Sequence, residues 1–215
     1  MFRANYARAV MASLALGSGV VGLYAYERHR MEKTETIVGE ADLGGEFELM
    51  DTDGEVVKSD DLLGKYLLIY FGFTHCPDIC PTEMHKMSSV LAELRRRKSS
   101  WGDAIVPLFI TIDPKRDTPQ AIGKYLAGFD PAIRGLTGSP EQTEAAAKAY
   151  KVFSYPVPSA EGDDDDDYLI DHSIFIFLVG PDGKYKAHFG YDKSVAVVTD
   201  GVAAHLPRQW WEFWL

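Results

Sequence analysis

Cysteine is nearly absent from this chain: Cys76 and Cys80 are the only two among 215 residues. Two cysteines cannot build a disulfide framework, so the fold must be held by its core, and the redox compartment cannot be read from bridges. Positive charge is also in short supply. Twenty-two Lys and Arg stand against 32 Asp and Glu, a net charge of -10. With no basic stripe and no nucleic-acid motif, this excludes nonspecific nucleic-acid binding and favours basic protein partners. No internal repeat is visible, and long apolar runs are scarce. The exception is Ala9 to Tyr26, 18 residues without a charge, flanked by Arg3 and Arg8 before it and Glu27-Arg28-His29-Arg30 after it.

As a helix that run would be about 27 Å long, enough for a short membrane span. The organisation expected is therefore a basic segment 1–8, a transmembrane helix 9–26, a linker 27–37, a folded domain 38–207 and an aromatic tail 208–215. A cleaved signal peptide, with its apolar core at Val10 to Leu16, is the alternative. The leading segment is basic and lacks acid before Glu27, as mitochondrial targeting segments do. Basic residues on both flanks leave topology open. The tail gathers Trp210, Trp211, Phe213 and Trp214, aromatics that suit a membrane interface, a partner groove or the domain's own surface.

The two cysteines lie in FGFTHCPDICPTEMHKM, between an apolar run Tyr66 to Phe71 that reads as a buried strand and a helix expected to open at Pro81. Both thiols then sit near a positive helix end, which favours thiolate, the form that binds metal or attacks disulfides. Two thiolates leave a metal under-coordinated. His172, just ahead of the strand Ile174 to Val179, is the candidate third ligand. Two sulfurs with an imidazole suit copper, Cu(I) above all, and also zinc, although structural zinc usually takes four protein ligands. The residues alone leave other readings open: inert thiols, a purely redox Cys76–Cys80 pair, or a His172 that merely satisfies a core hydrogen bond.

The rest of the chain alternates strands and helices, an α/β pattern. Asp53-Gly54 marks a hairpin between Phe47–Met50 and Val56-Val57. Met84, Met87, Leu91 and Leu94 make an apolar face on the helix after the thiols, so the two methionines read as core rather than as thioether ligands. A strand is expected over Val106 to Ile112, a helix opening at Thr118-Pro119, another capped by Ser139 with Gln142, a closing hairpin of Ile174 to Val179 with Tyr185 to Phe189, and a last helix from about Ser194 to Leu206. Asp78, Asp113 and Asp171 are candidates for an outer shell that orients a ligand, and equally for turn or cap roles. His85 is expected to be exposed, and His29, His188 and His205 have no evident partner. The acidic stretch Glu161 to Asp167 reads as a solvated loop, and its mobility would let His172 swing.

An ordered set of motifs goes further. FGFTHCPDICP, LFITIDPKRDTP, GLTGSPEQ, YKVFSYPVP with the acidic loop, and DYLIDHSIFIFLVGPDGKY together span about Val38 to about Leu206. In order and spacing the chain resembles the Sco proteins, copper metallochaperones for cytochrome c oxidase assembly. The resemblance implies a thioredoxin-like fold, a central mixed sheet flanked by helices, with copper held by Cys76, Cys80 and His172. It implies an upstream copper donor chaperone and delivery to the binuclear copper site of cytochrome c oxidase subunit II. It places the anchor in the mitochondrial inner membrane with the domain in the intermembrane space, a bacterial inner membrane facing the periplasm being the alternative. The competing function is a membrane-anchored thiol-disulfide oxidoreductase with Cys76 and Cys80 as its redox pair. The three-residue spacer, against two in thioredoxins, favours copper. A peroxiredoxin is disfavoured because Ile69 and Phe73 replace its expected Pro and Thr.

Overall fold

The computed structural model describes residues 43–158 and 168–206. The chain divides after Ile37, and everything described belongs to the second unit. The expected membrane span, the acidic loop and the aromatic tail lie outside the described residues. Among the described residues no helix is long and apolar enough to cross a membrane.

The elements are β1 (Glu48–Asp51), β2 (Val56–Lys58), β3 (Tyr66–Gly72), α1 (Ile79–Arg97), α2 (Ser99–Ala104), β4 (Ile105–Thr111), α3 (Pro119–Leu126), β5 (Arg134–Thr137), α4 (Pro140–Ala149), β6 (Ser154–Pro158), β7 (Tyr168–His172), β8 (Phe175–Val179), β9 (Tyr185–Gly190) and α5 (Val195–Ala203). Seven strands form one sheet in the order β2-β1-β5-β4-β3-β8-β9. The pairs β3–β4 and β4–β5 are parallel, whereas β1–β2, β1–β5, β3–β8 and β8–β9 are antiparallel, so the sheet is mixed.

Both faces of the sheet are covered, which is why β3 reads as unbroken hydrophobicity instead of alternating. Leu68 and Tyr70 turn toward α1, α3 and α5, meeting Met84, Met87, Leu91, Ile122 and Val198. Leu67, Ile69 and Phe71 turn the other way, toward Ala146 and Ala147 of α4, Tyr150 and Phe177. Three helices open on hydroxyl caps: Thr118, Ser139 and Ser194 accept from the backbone N–H of Ala121, Gln142 and Val197. Each cap satisfies a donor that the first turn leaves unpaired, a stabilisation of about 1 kcal/mol.

Two features differ from the sequence reading. The helix after the thiols begins at Ile79, two residues before Pro81, and so takes Cys80 into its first turn. A proline is tolerated there because its missing N–H would have no intrahelical partner anyway. The segment entering β8 is also more elaborate than expected. His172 ends a separate strand, β7, which pairs antiparallel with β6 as a two-stranded ribbon, with Ser154 opposite His172 and Pro158 opposite Tyr168.

Candidate metal centre

The site forms where β3 runs out. At Gly72 a side chain would begin 2.8 Å from the Tyr70 ring, 3.0 Å from Cys80 Sγ and 3.1 Å from the Phe109 ring, so only glycine lets the cysteine sulfur close on the strand end. The chain then turns, with Cys76 N–H donating to the Phe73 carbonyl at 3.3 Å. As α1 starts, Cys80 is brought down into the core and Cys76 is left half-buried above it.

The helix start differentiates the two sulfurs. Cys76 Sγ accepts the backbone N–H of Cys80 at 3.4 Å. The Cys80 thiol donating to it, helped by the backbone N–H groups of Cys80, Asp78 and Ile79 and against the cost of burial, draws the Cys76 thiol down to about 5. Cys80 is driven far upward, first by holding its proton toward Cys76 and then by burial. The Tyr70 hydroxyl, itself held neutral by burial, lies 3.5 Å from Cys80 Sγ. At neutral pH one sulfur is therefore an accessible thiolate and the other a buried thiol.

His172 reaches the same place from the ribbon. It is buried, with its ring edge-on to Phe73 at 6.0 Å and to Tyr70 at 6.3 Å. Nδ1 lies 3.0 Å from the Ser173 carbonyl, an acceptor only, so Nδ1 carries the proton and donates it there. That tautomer leaves Nε2 bare, and Nε2 lies 3.5 Å from Cys80 Sγ. Burial lowers the His172 pKa, and the backbone bond to Ser173 and the negative charge of Cys76 only partly offset it. The imidazole is thus neutral, the ligating form.

Two donors bound to one ion at about 2.3 Å for sulfur and about 2.0 Å for nitrogen stand roughly 3.6–3.8 Å apart, close to the Cys80–His172 separation. Among the described residues no three His, Cys, Asp or Glu side chains already form a closed shell around an ion. Cys76 is spent instead on the helix N–H groups, and a bound ion would have to draw it in. A pair of soft sulfurs with one neutral imidazole fits Cu(I) better than it fits hard cations.

The three carboxylates singled out from the sequence have three different settings. Asp78 is exposed at the N-cap of α1, and its side chain makes no cap hydrogen bond. Asp171 is exposed, one position from His172 and so on the opposite side of β7. Asp113 is buried, accepting from Arg116 Nε at 2.5 Å and from the Tyr168 hydroxyl at 2.7 Å. Met84 and Met87 are fully buried in the core. His85 is exposed, edge-on to Phe129, and His188 does have a partner in the Tyr185 hydroxyl at 2.6 Å. Sequence reasoning missed Tyr70, Asp117, Arg116 and Tyr168 around the site. For Asp117 a signal existed, a second carboxylate four residues after Asp113 in one strand-to-helix loop.

Comparison with known proteins decides the family. The SCO1/SenC family profile matches residues 35–206. The chain belongs to the SCO1/SenC family. It is 43% identical over 194 residues to the mitochondrial protein SCO1 homolog of Mus musculus, covering 88% of this chain and 66% of that protein. The chain thus spans slightly less than two thirds of that relative's length. Among solved structures, copper-bound ScoI of Arabidopsis thaliana superposes with a TM-score of 0.69 at 39% identity, over 76% of this chain and 97% of that one. BsSco, described as carrying a disulfide switch and as a member of the Sco family of cytochrome c oxidase assembly proteins, superposes at 0.59 with 25% identity, over 76% and 92%. The α/β fold with its helix-flanked mixed sheet is therefore the fold of Sco structures, the thioredoxin-like one that the motifs implied, and copper-bound members are among its neighbours.

Proposed function

We propose that this chain is a copper carrier: Cys76, Cys80 and His172 bind Cu(I) and pass it to the binuclear copper site of cytochrome c oxidase subunit II, after loading by an upstream copper donor. The observation that carries the reading is the approach of a proton-free imidazole nitrogen to 3.5 Å from the sulfur of Cys80, 92 residues away in sequence, beside a second sulfur already prepared as thiolate. The copper-bound relative and the oxidase-assembly description of BsSco support it. The run Ala9 to Tyr26 would anchor the domain to the mitochondrial inner membrane, with the domain in the intermembrane space. The mitochondrial name of the Mus musculus relative supports the compartment.

Each residue has a distinct part. Cys76, exposed enough to meet a partner, takes the incoming ion and is the first sulfur to be shared with an acceptor. Cys80 gives up its proton on binding and anchors the ion against the core. His172 closes the third side without adding charge. Three ligands leave room for a partner's sulfur to add before a resident one leaves, so transfer proceeds by ligand exchange.

The unequal thiols also favour a second reading, a thiol-disulfide oxidoreductase. The Cys76 thiolate would attack a target disulfide, and Cys80 would then resolve the mixed disulfide. Two electrons and the Cys80 proton pass to the target as Cys76 and Cys80 become joined, and the target's second sulfur leaves as thiolate and takes its proton from water. An anaerobic Cu(I) competition titration of the wild type and His172→Ala separates the readings. Tight one-to-one binding that weakens in the variant supports the carrier. Unaltered binding together with rapid insulin reduction supports the reductase and refutes the three-ligand site.

A further inference from the structure

Between β4 and α3 the chain runs Asp113-Pro114-Lys115-Arg116-Asp117. This loop contributes neither sulfur nor imidazole, yet it holds both elements that do. Asp117 is fully buried. It accepts from the backbone N–H of Thr74 at 3.0 Å and from the Thr74 hydroxyl at 2.6 Å, two residues before Cys76. The Thr111 hydroxyl adds a third bond to this carboxylate at 2.7 Å.

The other end of the loop holds the histidine strand. Asp113 accepts from the Tyr168 hydroxyl at 2.7 Å and from Arg116 Nε at 2.5 Å, and Arg116 Nη1 donates to the Tyr168 carbonyl at 2.9 Å. The Arg116 guanidinium lies 3.7 Å from the centre of the Tyr168 ring and 5.9 Å from that of Phe73. Tyr168 opens β7 and His172 ends it. Side chains two apart share a strand face, so Tyr168, Ile170 and His172 point the same way, with about 13 Å of strand between grip and ligand. Asp117 N–H donates to the Asp113 carbonyl at 2.9 Å, and Asp113 N–H to the Thr111 hydroxyl at 2.9 Å, which joins the two grips into one turn.

We infer that Asp113, Arg116 and Asp117 are positioning residues: a single polar turn clamps the thiol loop and the histidine strand together and so fixes the Cys80–His172 spacing. The inference rests on the copper reading above. Charge-assisted hydrogen bonds in a buried setting are strong and directional, which suits them to hold a distance rather than only to add stability. The two grips are separable. Arg116 with Tyr168 acts chiefly on the imidazole, whereas Asp117 acts on the turn that leads into Cys76.

The test is an anaerobic Cu(I) competition titration of Arg116→Leu, the milder Tyr168→Phe, His172→Ala and the double variant Arg116→Leu/His172→Ala. Loss of an outer partner of a metal ligand weakens binding about 10–100-fold, and that range is expected for Arg116→Leu, with Tyr168→Phe at its lower end. In the His172→Ala background Arg116→Leu should cost nothing further, a coupling that general loosening of the fold would not produce. Two readouts on metal-free protein accompany it. The NMR contact between the His172 and Phe73 rings should weaken in Arg116→Leu, while the iodoacetamide alkylation rate of Cys76 should change only in Asp117→Asn. Unchanged affinity in both Arg116→Leu and Tyr168→Phe, or an equal loss with and without His172, overturns the clamp. If His172→Ala itself leaves affinity intact, the copper reading falls and the clamp with it. A loss in His172→Ala that Arg116→Leu does not reproduce overturns the clamp alone.

Discussion

The thiol loop and the β6–β7 ribbon meet at the same place but are built in opposite ways. The loop is set into the main core: Tyr70, Cys80, Met84 and Met87 are fully buried, and Phe73 nearly so. Among the described residues the ribbon pairs only with itself, and its outer side shows Tyr155, Val157 and Leu169 to solvent, each 46–64% exposed. Cys80 is therefore seated in the packed core with Cys76 half-buried on the turn above it, whereas His172 comes from a ribbon that Arg116 and Asp113 tie to the β4–α3 loop. A site built this way takes its buried sulfur from the packed core and its imidazole from a strand positioned by a few polar bonds. That division suits a carrier, which must bind its cargo and also release it.

Stability separates the two sides. Met84→Ala, beneath the thiols, should cost about 2–5 kcal/mol in urea unfolding. Leu169→Ser, on the ribbon's outer side, should stay within about 0.5 kcal/mol. Comparable losses would mean the ribbon is as integral to the core as the loop.

Copper affinity should rank the ligands in the same order. Cys80→Ser should abolish tight Cu(I) binding, and His172→Ala should weaken it by at least the ~10–100-fold that loss of an outer partner costs while leaving a two-sulfur site. Equal losses from both would mean that the core sulfur and the ribbon imidazole hold the ion alike. Alkylation followed by mass spectrometry probes the loop by itself. Cys76 should modify with an apparent midpoint near pH 5, and Cys80 should stay unmodified until Cys76 is blocked.

A further readout is the pH dependence of stability in the reduced, metal-free protein. A Cys76 thiol depressed from 9.0 to about 5 contributes stability that is fully present above pH 9 and is lost as pH falls toward 5. The lowered pKa of His172 acts in the same direction, stability falling as pH drops below 6.5. Cys76→Ser should flatten the upper part of that slope in denaturant melts, and an unaltered slope would show that the thiolate is not specially stabilised in the fold.

Much of this was legible in the chain. The unbroken apolar run of β3, the hydroxyl-plus-proline starts of α3 and α4, and the β8–β9 hairpin around Pro181-Asp182-Gly183 each carry a local physical signal, and the folded elements lie within a few residues of it. The ribbon was not legible. Pro156 and Pro158 argue against a strand, since proline cannot complete a ladder and is confined to edge strands, strand starts and bulges. β5 is four residues long, too short to show a period. The neighbourhood of His172 with the thiols was approached through resemblance and a general expectation about the sheet, because no spacing rule links residues 92 apart. Asp117 and Arg116 stayed hidden for the same reason: their partners Thr74 and Tyr168 are 43 and 52 residues away.

X-ray absorption at the copper edge of the Cu(I)-loaded domain, wild type beside His172→Ala, reads the ligand set itself. Two sulfurs and one nitrogen are expected around the metal in the wild type, with the nitrogen lost in the variant. A wild-type shell made of sulfur alone, or a nitrogen that persists after His172 is removed, would contradict it.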